Sequence, residues 1–509
     1  MTSQPFQESP TPVRASILQG SSRFAPAITM AGLLVMAVIV QLGNPGVTNV
    51  GWLFVVSDRL LAGDRLYVDI LEVNPPASVL IYLPFAWLGQ TLQVPAEHLL
   101  LGGLLAVTAA AMWVSGRVLA RAGLLRNATA SAVAGAVALA VLPGNSFAQR
   151  EHVALVLMLP TLALAAARSV PSWRISPSAA LAIGIPAGVA VCIKPHFGVA
   201  ILLPQLYAAW RSGRLPVLFA PENWAILATL GLYFGATVAF FPEYFGEMLP
   251  TVLEVYRPAR SSLRQMTELV LPFVLLMGVY VVSPGQSLTA PTRAVPVLAA
   301  VGFLLGFFEQ SKGWQYHYLP TVALLVFVVL RDTVEVAPTK RAGARSFQAM
   351  HIAAAAGLVL TAAERFRPYS QVSISLEPAI QRLSARPRLL AITGDLGITN
   401  PLTRRVNGIW TGRLASQWIS ELAYLLLSDP DTTPDERAVL EEHIAKDRAM
   451  FMDDLRKHAP DFLLIDVRGG IVDWKAWARA DPAFSEIFEF YVLEAWNNDV
   501  ELYVRRRRP

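Results

Sequence analysis

The sequence predicts an all-α polytopic membrane domain followed by an extracytoplasmic mixed α/β domain. Three observations predict it. Of the 509 residues, 54% are hydrophobic and only 16% are charged, where a soluble chain carries about a quarter charged residues. Mean hydropathy is +0.46. Apolar runs suited to spanning helices recur up to residue 363 and then stop. The remaining stretch, roughly 140 residues, is charged and mixed in pattern and has an ordinary domain size. The boundaries read as 1–24 for a disordered cytoplasmic leader, 25–363 for the membrane domain and 364–509 for the external domain.

About eleven spans are expected, at approximately 25–42, 97–119, 128–143, 152–167, 178–193, 196–210, 224–241, 267–283, 294–309, 318–331 and 347–363. The run 77–92 is different. A double proline precedes it, Pro84 interrupts it, and it is short for a crossing. It reads as a helix lying in the membrane interface.

The positive-inside rule tests that reading. If 77–92 does not cross, one side collects Arg14, Arg23, Arg117, Arg121, Arg126, Arg168, Arg174, Arg211, Arg214, Arg293, Arg331, Lys340, Arg341 and Arg345. The other receives Arg59, Arg65, Arg150, Lys194, Arg257, Arg260, Arg264 and Lys312. The richer side is cytoplasmic and includes the N-terminus, so the C-terminal domain is external. The expected address is an inner, cytoplasmic membrane, crossed many times.

The N-terminal "MTSQPFQESPTPVRASILQGSSR" is polar and has no signal-peptide pattern. The single cysteine, Cys192, excludes an intrachain disulfide and a cysteine metal site. The net charge of +5 is what basic cytoplasmic loops require, and no nucleic-acid partner is expected. In the C-terminal part, "RLLAITGDL" (388–396), "DFLLIDV" (461–467) and "DVELYVRR" (499–506) have strand character. The stretch 434–460 is strongly helical and stops at Pro460. "TGDLGITNP" follows a strand but carries no nucleotide fingerprint. The terminal arginine run reads as a headgroup contact or a solvated tail.

Four polar clusters fall on the external side: the first loop "GDRLYVDILEVNPP" (63–76), "NSFAQREH" (145–152), "IKPHF" (193–197) and "EQSKGWQYHY" (309–318). Ionisable groups at a membrane edge are costly and usually mark a site. The alternative is that loops are simply polar, but plain turns favour Gly, Asn and Ser. These clusters are instead rich in His, Lys and Glu.

With a small-residue Gly, a Y-x-D and a Pro-Pro opening a juxtamembrane helix, the first loop resembles bacterial GT-C glycosyltransferases. These are the relatives of protein O-mannosyltransferases and of the lipid A aminoarabinose transferase. "QREH", "KPHF" and "KGWQYHYLP" look like the later external motifs of that superfamily. The resemblance covers residues 25 to about 365 in architecture. It implies a polyprenyl-phosphate-sugar donor and inverting transfer to an extracytoplasmic acceptor: a cell-envelope glycan, a lipid or a protein. Polysaccharide biosynthesis at the cell envelope is the expected setting. One departure stands out. Relatives carry an acid near the start of the first loop, where this chain has Thr48 and Asn49. Neither is a base at neutral pH.

Such a transfer needs a carboxylate to take the acceptor proton and cations to stabilise the departing lipid phosphate. Glu72, Asp69 and Glu151 are the catalytic candidates, with Glu72 the first choice. Asp69 and Glu72 lie three apart, next to the prolines that meet the bilayer. Asp58 and Asp64 read as solvated or paired with Arg59 and Arg65. Arg150 and Lys194 are the leading phosphate ligands, with Lys312 beside them; Pro195 breaks the helix at Lys194 and opens its backbone. The alternative for Lys194 is a snorkelling lysine. Asn49, Asn74, His152, His196, Trp314 and His317 complete the substrate-binding candidates, although the aromatics of "KGWQYHY" also fit an interfacial belt. His152, His196 and His317 with Glu151 and the first-loop carboxylates form a mixed N/O set of the kind that binds a divalent ion. No local ligand spacing supports it, so the cofactor is left open. A polytopic transporter or flippase is the second reading, but transporters gather ionisable groups at mid-membrane. A third is a non-catalytic relative that binds lipid-linked sugar.

Overall fold

The computed structural model of the protein describes residues 32–42, 47–282, 287–335 and 373–506. The expected run 347–363, the start of 25–42, the leader 1–24 and the last two arginines of the tail lie outside the described residues.

Helix α1 (Gly32–Leu42) is apolar and short. Helix α2 (Thr48–Leu61) leads into the first loop. After Pro75 and Pro76 come α3 (Ala77–Leu80) and α4 (Leu83–Leu92). α4 ends where Gln93 takes a left-handed conformation. The bundle proper follows: α5 (Ala96–Arg121), α6 (Ala128–Ala136), α7 (Arg150–Arg168), α8 (Pro177–Ile193), α9 (Gly198–Ser212) and α10 (Pro221–Phe240). It is completed by α11 (Leu263–Leu269), α12 (Leu271–Val282), α13 (Pro291–Gln310) and α14 (Leu319–Glu335).

Every expected run from 97–119 to 318–331 coincides with one or two of these helices. Stand-alone spanning length is a stricter test. Among the described residues α5, α7, the stretch Leu215–Phe240 and α13 meet it, and α11 with α12 makes a fifth if the pair, bent by 50°, is one span. The others are shortened by identifiable breaks. α6 passes into a π turn at Val137–Val141, and Pro195 separates α8 from α9. Close packing replaces length in places. A Cβ on Gly184 of α8 would lie 2.3 Å from the Glu222 carbonyl of α10, and one on Gly302 of α13 would lie 2.5 Å from Ala200 Cα of α9. Small residues let helix backbones approach in this way within a bilayer.

The C-terminal part carries a five-stranded sheet of order β2-β1-β3-β5-β4. Its strands are β1 (Arg388–Ile392), β2 (Ile409–Trp410), β3 (Phe462–Asp466), β4 (Tyr491–Trp496) and β5 (Val500–Arg505). β1 pairs in parallel with β2 and β3, and β5 runs antiparallel to β3 and β4. β1 and β3 read as continuous apolar runs because both faces are covered. Helix α15 (Trp418–Leu427) and helix α16 (Pro434–His458) flank the sheet. α16 opens on a reciprocal Thr433–Glu436 capping box.

One apolar core joins β1 and β3 to α2 and the first loop, through Trp52, Phe54, Tyr67 and Tyr82 among others. Leu71 N–H donates to Arg413 O at 2.8 Å and Arg59 Nη1 to Gly412 O at 2.7 Å. Arg404 holds Glu97 at 2.9 Å and also pairs with Asp58. His443 meets Glu254 at 2.7 Å. The C-terminal unit therefore sits on the same end of the bundle as the first loop.

Candidate functional site

Three backbone features bring the polar clusters together. The double proline pins the first loop: beyond it Ala77 N–H donates to Tyr233 Oη at 3.1 Å and Ser78 Oγ to Ile193 O at 3.1 Å. Tyr67 Oη donates back to Asn74 O at 2.6 Å. Proline at 195 disfavours helix at Lys194, which is extended (φ −148°, ψ 114°), so α8 stops there. Arg150 and Glu151 stand in the first turn of α7, and Tyr82 Oη donates to Ala148 O at 2.7 Å, tying that turn to the loop helices.

The result is a buried network of charges from four segments. Glu72 Oε2 accepts from Trp52 Nε1 at 2.7 Å. Its Oε1 accepts from Asn74 Nδ2 at 2.5 Å and Asn74 N at 3.2 Å, with Arg150 Nη1 at 3.5 Å. Lys194 Nζ donates to Glu151 Oε1 and to Gln310 Oε1, both at 2.6 Å, and lies 3.3 Å from His317 Nε2. Glu151 is fully buried, and Glu72, Arg150, Lys194 and His317 are each less than a tenth exposed. Several polar atoms have no hydrogen-bond partner among the described residues: Arg150 Nε, Glu151 Oε2, Gln149 Oε1 and His317 Nδ1. Buried polar groups are normally satisfied, so these atoms identify a place that a polar ligand would complete.

The other sequence candidates divide. Asn74 belongs to the network. His196 sits at its edge, 3.7 Å from Glu309, with its Nε2 also lacking a partner among the described residues. Trp314 packs on Tyr316, His317 and Tyr256 and forms one wall. Asn49 is one helical turn before Trp52 and makes no side-chain hydrogen bond among the described residues. Three candidates fare differently. Asp69 is partly exposed, pairs with Arg65 at 3.7 Å and accepts from its backbone N–H. It stands apart from the carboxylate network. His152 has both ring nitrogens engaged by backbone: Ala148 N–H donates to Nδ1 at 3.1 Å, so Nε2–H donates to Leu139 O at 2.8 Å. That histidine ties α7 to the π turn. Lys312 caps the carbonyls of Tyr256 and Ala259 and lies 4.0 Å from the Tyr256 ring centre. Burial and nearby Arg260 push its ammonium down to about 8.

Trp52 and Gln310 are network members that sequence reading missed. Gln310 was within a recognised cluster, and a spacing of one turn from Asn49 marks Trp52. Asp64 pairs with Arg59 as expected, whereas Asp58 pairs with Arg404 across the domain contact.

The residues do not fit a divalent ion held by the histidine set. His152 is fully engaged, and among the described residues no group of three or more His, Cys, Asp and Glu side chains is placed to hold a metal.

No family model matches the sequence, and neither does any curated protein. Solved structures do match. ArnT from Cupriavidus metallidurans bound to undecaprenyl phosphate aligns with 94% of this chain and 97% of its own, at TM-score 0.55 and 13% identity. The apo state of the same protein aligns over 95% and 98%, at TM-score 0.55 and 12% identity. The oligosaccharyltransferase AglB from Archaeoglobus fulgidus, in complex with an inhibitory peptide and a dolichol-phosphate, covers 92% of this chain and 72% of its own at TM-score 0.45 and 12% identity. At such identities the likeness to ArnT is one of fold. It extends over nearly the whole of both chains.

Proposed function

We propose that this chain is a multi-pass membrane glycosyltransferase of the GT-C type. It moves a sugar from a polyprenyl-phosphate donor to an acceptor hydroxyl at the external face of a bacterial cytoplasmic membrane. The observation that carries this reading is the pair of buried carboxylate–cation contacts, Glu72–Arg150 and Glu151–Lys194, meeting at one end of the bundle with polar atoms that have no partner among the described residues. The fold shared with ArnT, which was solved with undecaprenyl phosphate, supports it.

The chemistry is an in-line displacement. The acceptor oxygen forms a bond to the anomeric carbon while the bond from that carbon to the lipid phosphate breaks, which inverts the centre. The acceptor proton goes to Glu72. Its Oε2 accepts from Trp52 alone and retains a lone pair for that proton, and Arg150, at 3.5 Å, holds Oε1 only loosely. Glu151 uses Oε1 for Lys194, whose ammonium lies at 2.6 Å. The leaving lipid phosphate is stabilised by Lys194 and Arg150, since charge-assisted hydrogen bonds are about twice as strong as neutral ones. Trp52 and Asn74 orient Glu72, and Gln310 and His317 position Lys194.

The test is turnover with a polyprenyl-phosphate-sugar donor, after surface glycans with and without the gene have identified the sugar. Glu72→Gln keeps the shape, and turnover falls by about 10²–10⁴-fold with donor binding intact. Asp69→Asn leaves it nearly unchanged. Full turnover in both Glu72→Gln and Glu151→Gln would end the base assignment. Asn49, standing where relatives carry an acid, favours a second reading, a non-catalytic binder of lipid-linked sugar. If the native chain transfers nothing and Asn49→Asp creates transfer, that reading holds.

A further inference from the structure

The bundle contains a cavity at the end remote from the charge network. Three helices fix its position. α7 begins at Arg150 and reaches the cavity at Leu159–Ala166; α13 runs from the cavity at Pro291 to Gln310; α14 runs from Leu319 to the cavity at Arg331. At about 1.5 Å per residue, cavity and network lie at opposite faces of the bundle. The cavity measures about 520 Å³ and its walls are almost wholly apolar. That volume is within the roughly 300–1,000 Å³ of small-molecule sites.

Arg117 and Arg126 stand at the rim. Both are exposed, and neither has an ion-pair partner among the described residues. Arg331, by contrast, is bound by Asp332 and by Thr292 O. Beside Arg117 is Trp113, 65% exposed, its ring centre 5.6 Å from the guanidinium carbon. An outward tryptophan with arginines is the pattern of a helix end at headgroup depth.

We propose that this cavity binds an acidic glycerophospholipid from the leaflet opposite the charge network. Its acyl chain fills the apolar volume and its phosphate is held by Arg117 and Arg126. A cavity of this size forgoes dispersion contacts along its walls, and the surrounding bilayer supplies hydrocarbon to restore them. The unpaired arginines select for negative charge. The site is independent of the transfer reaction proposed above, whose phosphate ligands lie at the other face.

Gly116 gives a clean test. It lines the cavity, and a Cβ built on it meets nothing within 4 Å. Gly116→Leu therefore fills the space without displacing a neighbour, and it removes a glycine from a helix interior. The full chain in detergent is titrated with phosphatidylglycerol and, separately, phosphatidylcholine, and bound lipid is counted by native mass spectrometry. Phosphatidylglycerol binds the native protein more tightly, and Gly116→Leu weakens that binding with no loss of thermal stability. The Arg117→Gln, Arg126→Gln double variant weakens it by about thirtyfold, from about 1 kcal/mol per charge, and leaves phosphatidylcholine unaffected. Equal affinity for both lipids overturns the proposal. So does unchanged phosphatidylglycerol binding in Gly116→Leu, or undecaprenyl phosphate displacing the phospholipid from this site. Absence of any bound lipid, expected if a segment of this chain fills the space, overturns it as well.

Discussion

Helix α7 carries a buried ion pair at each end, and the two ends are built differently. At its C-terminus Arg168 grips Glu222 with two parallel bonds, Nε and Nη2 each 2.9 Å from an oxygen. Glu222 is fully buried, lies in the first turn of α10, and has both oxygens paired. At the N-terminus Arg150 reaches Glu72 only at 3.5 Å, and its Nε has no partner among the described residues. The adjacent Glu151 uses one oxygen for Lys194 and leaves the other without a partner among the described residues. The first end fastens two helices and is complete in itself. The second buries charge of both signs and leaves donor and acceptor atoms without a partner among the described residues. The proposed transfer assigns its work to that second end.

That contrast breaks if the two ends respond alike to mutation. Glu222→Ala strands Arg168 and costs about 3–5 kcal/mol of stability, seen as a lower unfolding midpoint, while turnover of the folded fraction is kept. Lost turnover with unchanged stability would erase the distinction. At the other end, Lys194→Ala or Arg150→Ala weakens binding of the lipid-phosphate donor by about 2–5 kcal/mol, measured on protein shown to be folded. Unchanged donor affinity in both would make those pairs fasteners too. Arg404→Ala sharpens the comparison at a third, more exposed place. Its contacts to Asp58 and Glu97 are partly solvated, so each contributes at most about 1 kcal/mol. The expected readout is looser protection of α2 in hydrogen exchange.

The smallest effect concerns pH. Burial, then Asp395 and Asp466, push the Glu421 carboxyl up to about 7, and burial pushes Asp447 to about 7. Folding favours their protonated forms, so their contribution to stability is complete below the ordinary carboxylate range and is lost as pH rises through about 7. Hydrogen exchange in α15 and α16, corrected for intrinsic rate, is therefore faster at pH 8 than at pH 5. Glu421→Gln flattens part of that slope, and an unaltered slope would assign it elsewhere.

The helices of the bundle were legible because apolar runs and their proline and glycine breaks are local signals. So were β1, β3, β5 and α16, whose patterns are uninterrupted. β2 was not: it is two residues long and exists only through its pairing with β1. β4 was not recognised either; as an edge strand it keeps little burial contrast. In the site, composition identified the four clusters, and the structure joins Glu72 to Arg150 and Lys194 to Glu151 and Gln310. Sequence could not separate Asp69 from Glu72, because only the direction of the loop decides which carboxylate turns inward. It could not foresee that both ring nitrogens of His152 meet main-chain atoms. Trp52 escaped notice because an indole among apolar neighbours looks like packing.

Leu71, next to Glu72, donates its N–H to Arg413 O, and Arg413 is itself anchored to Asp453 and Asp454 of α16. Among the links between the C-terminal unit and the first loop, this main-chain bond lies nearest in sequence to the Glu72 carboxylate. Any displacement of the turn at Arg413 is therefore felt first at the backbone beside Glu72.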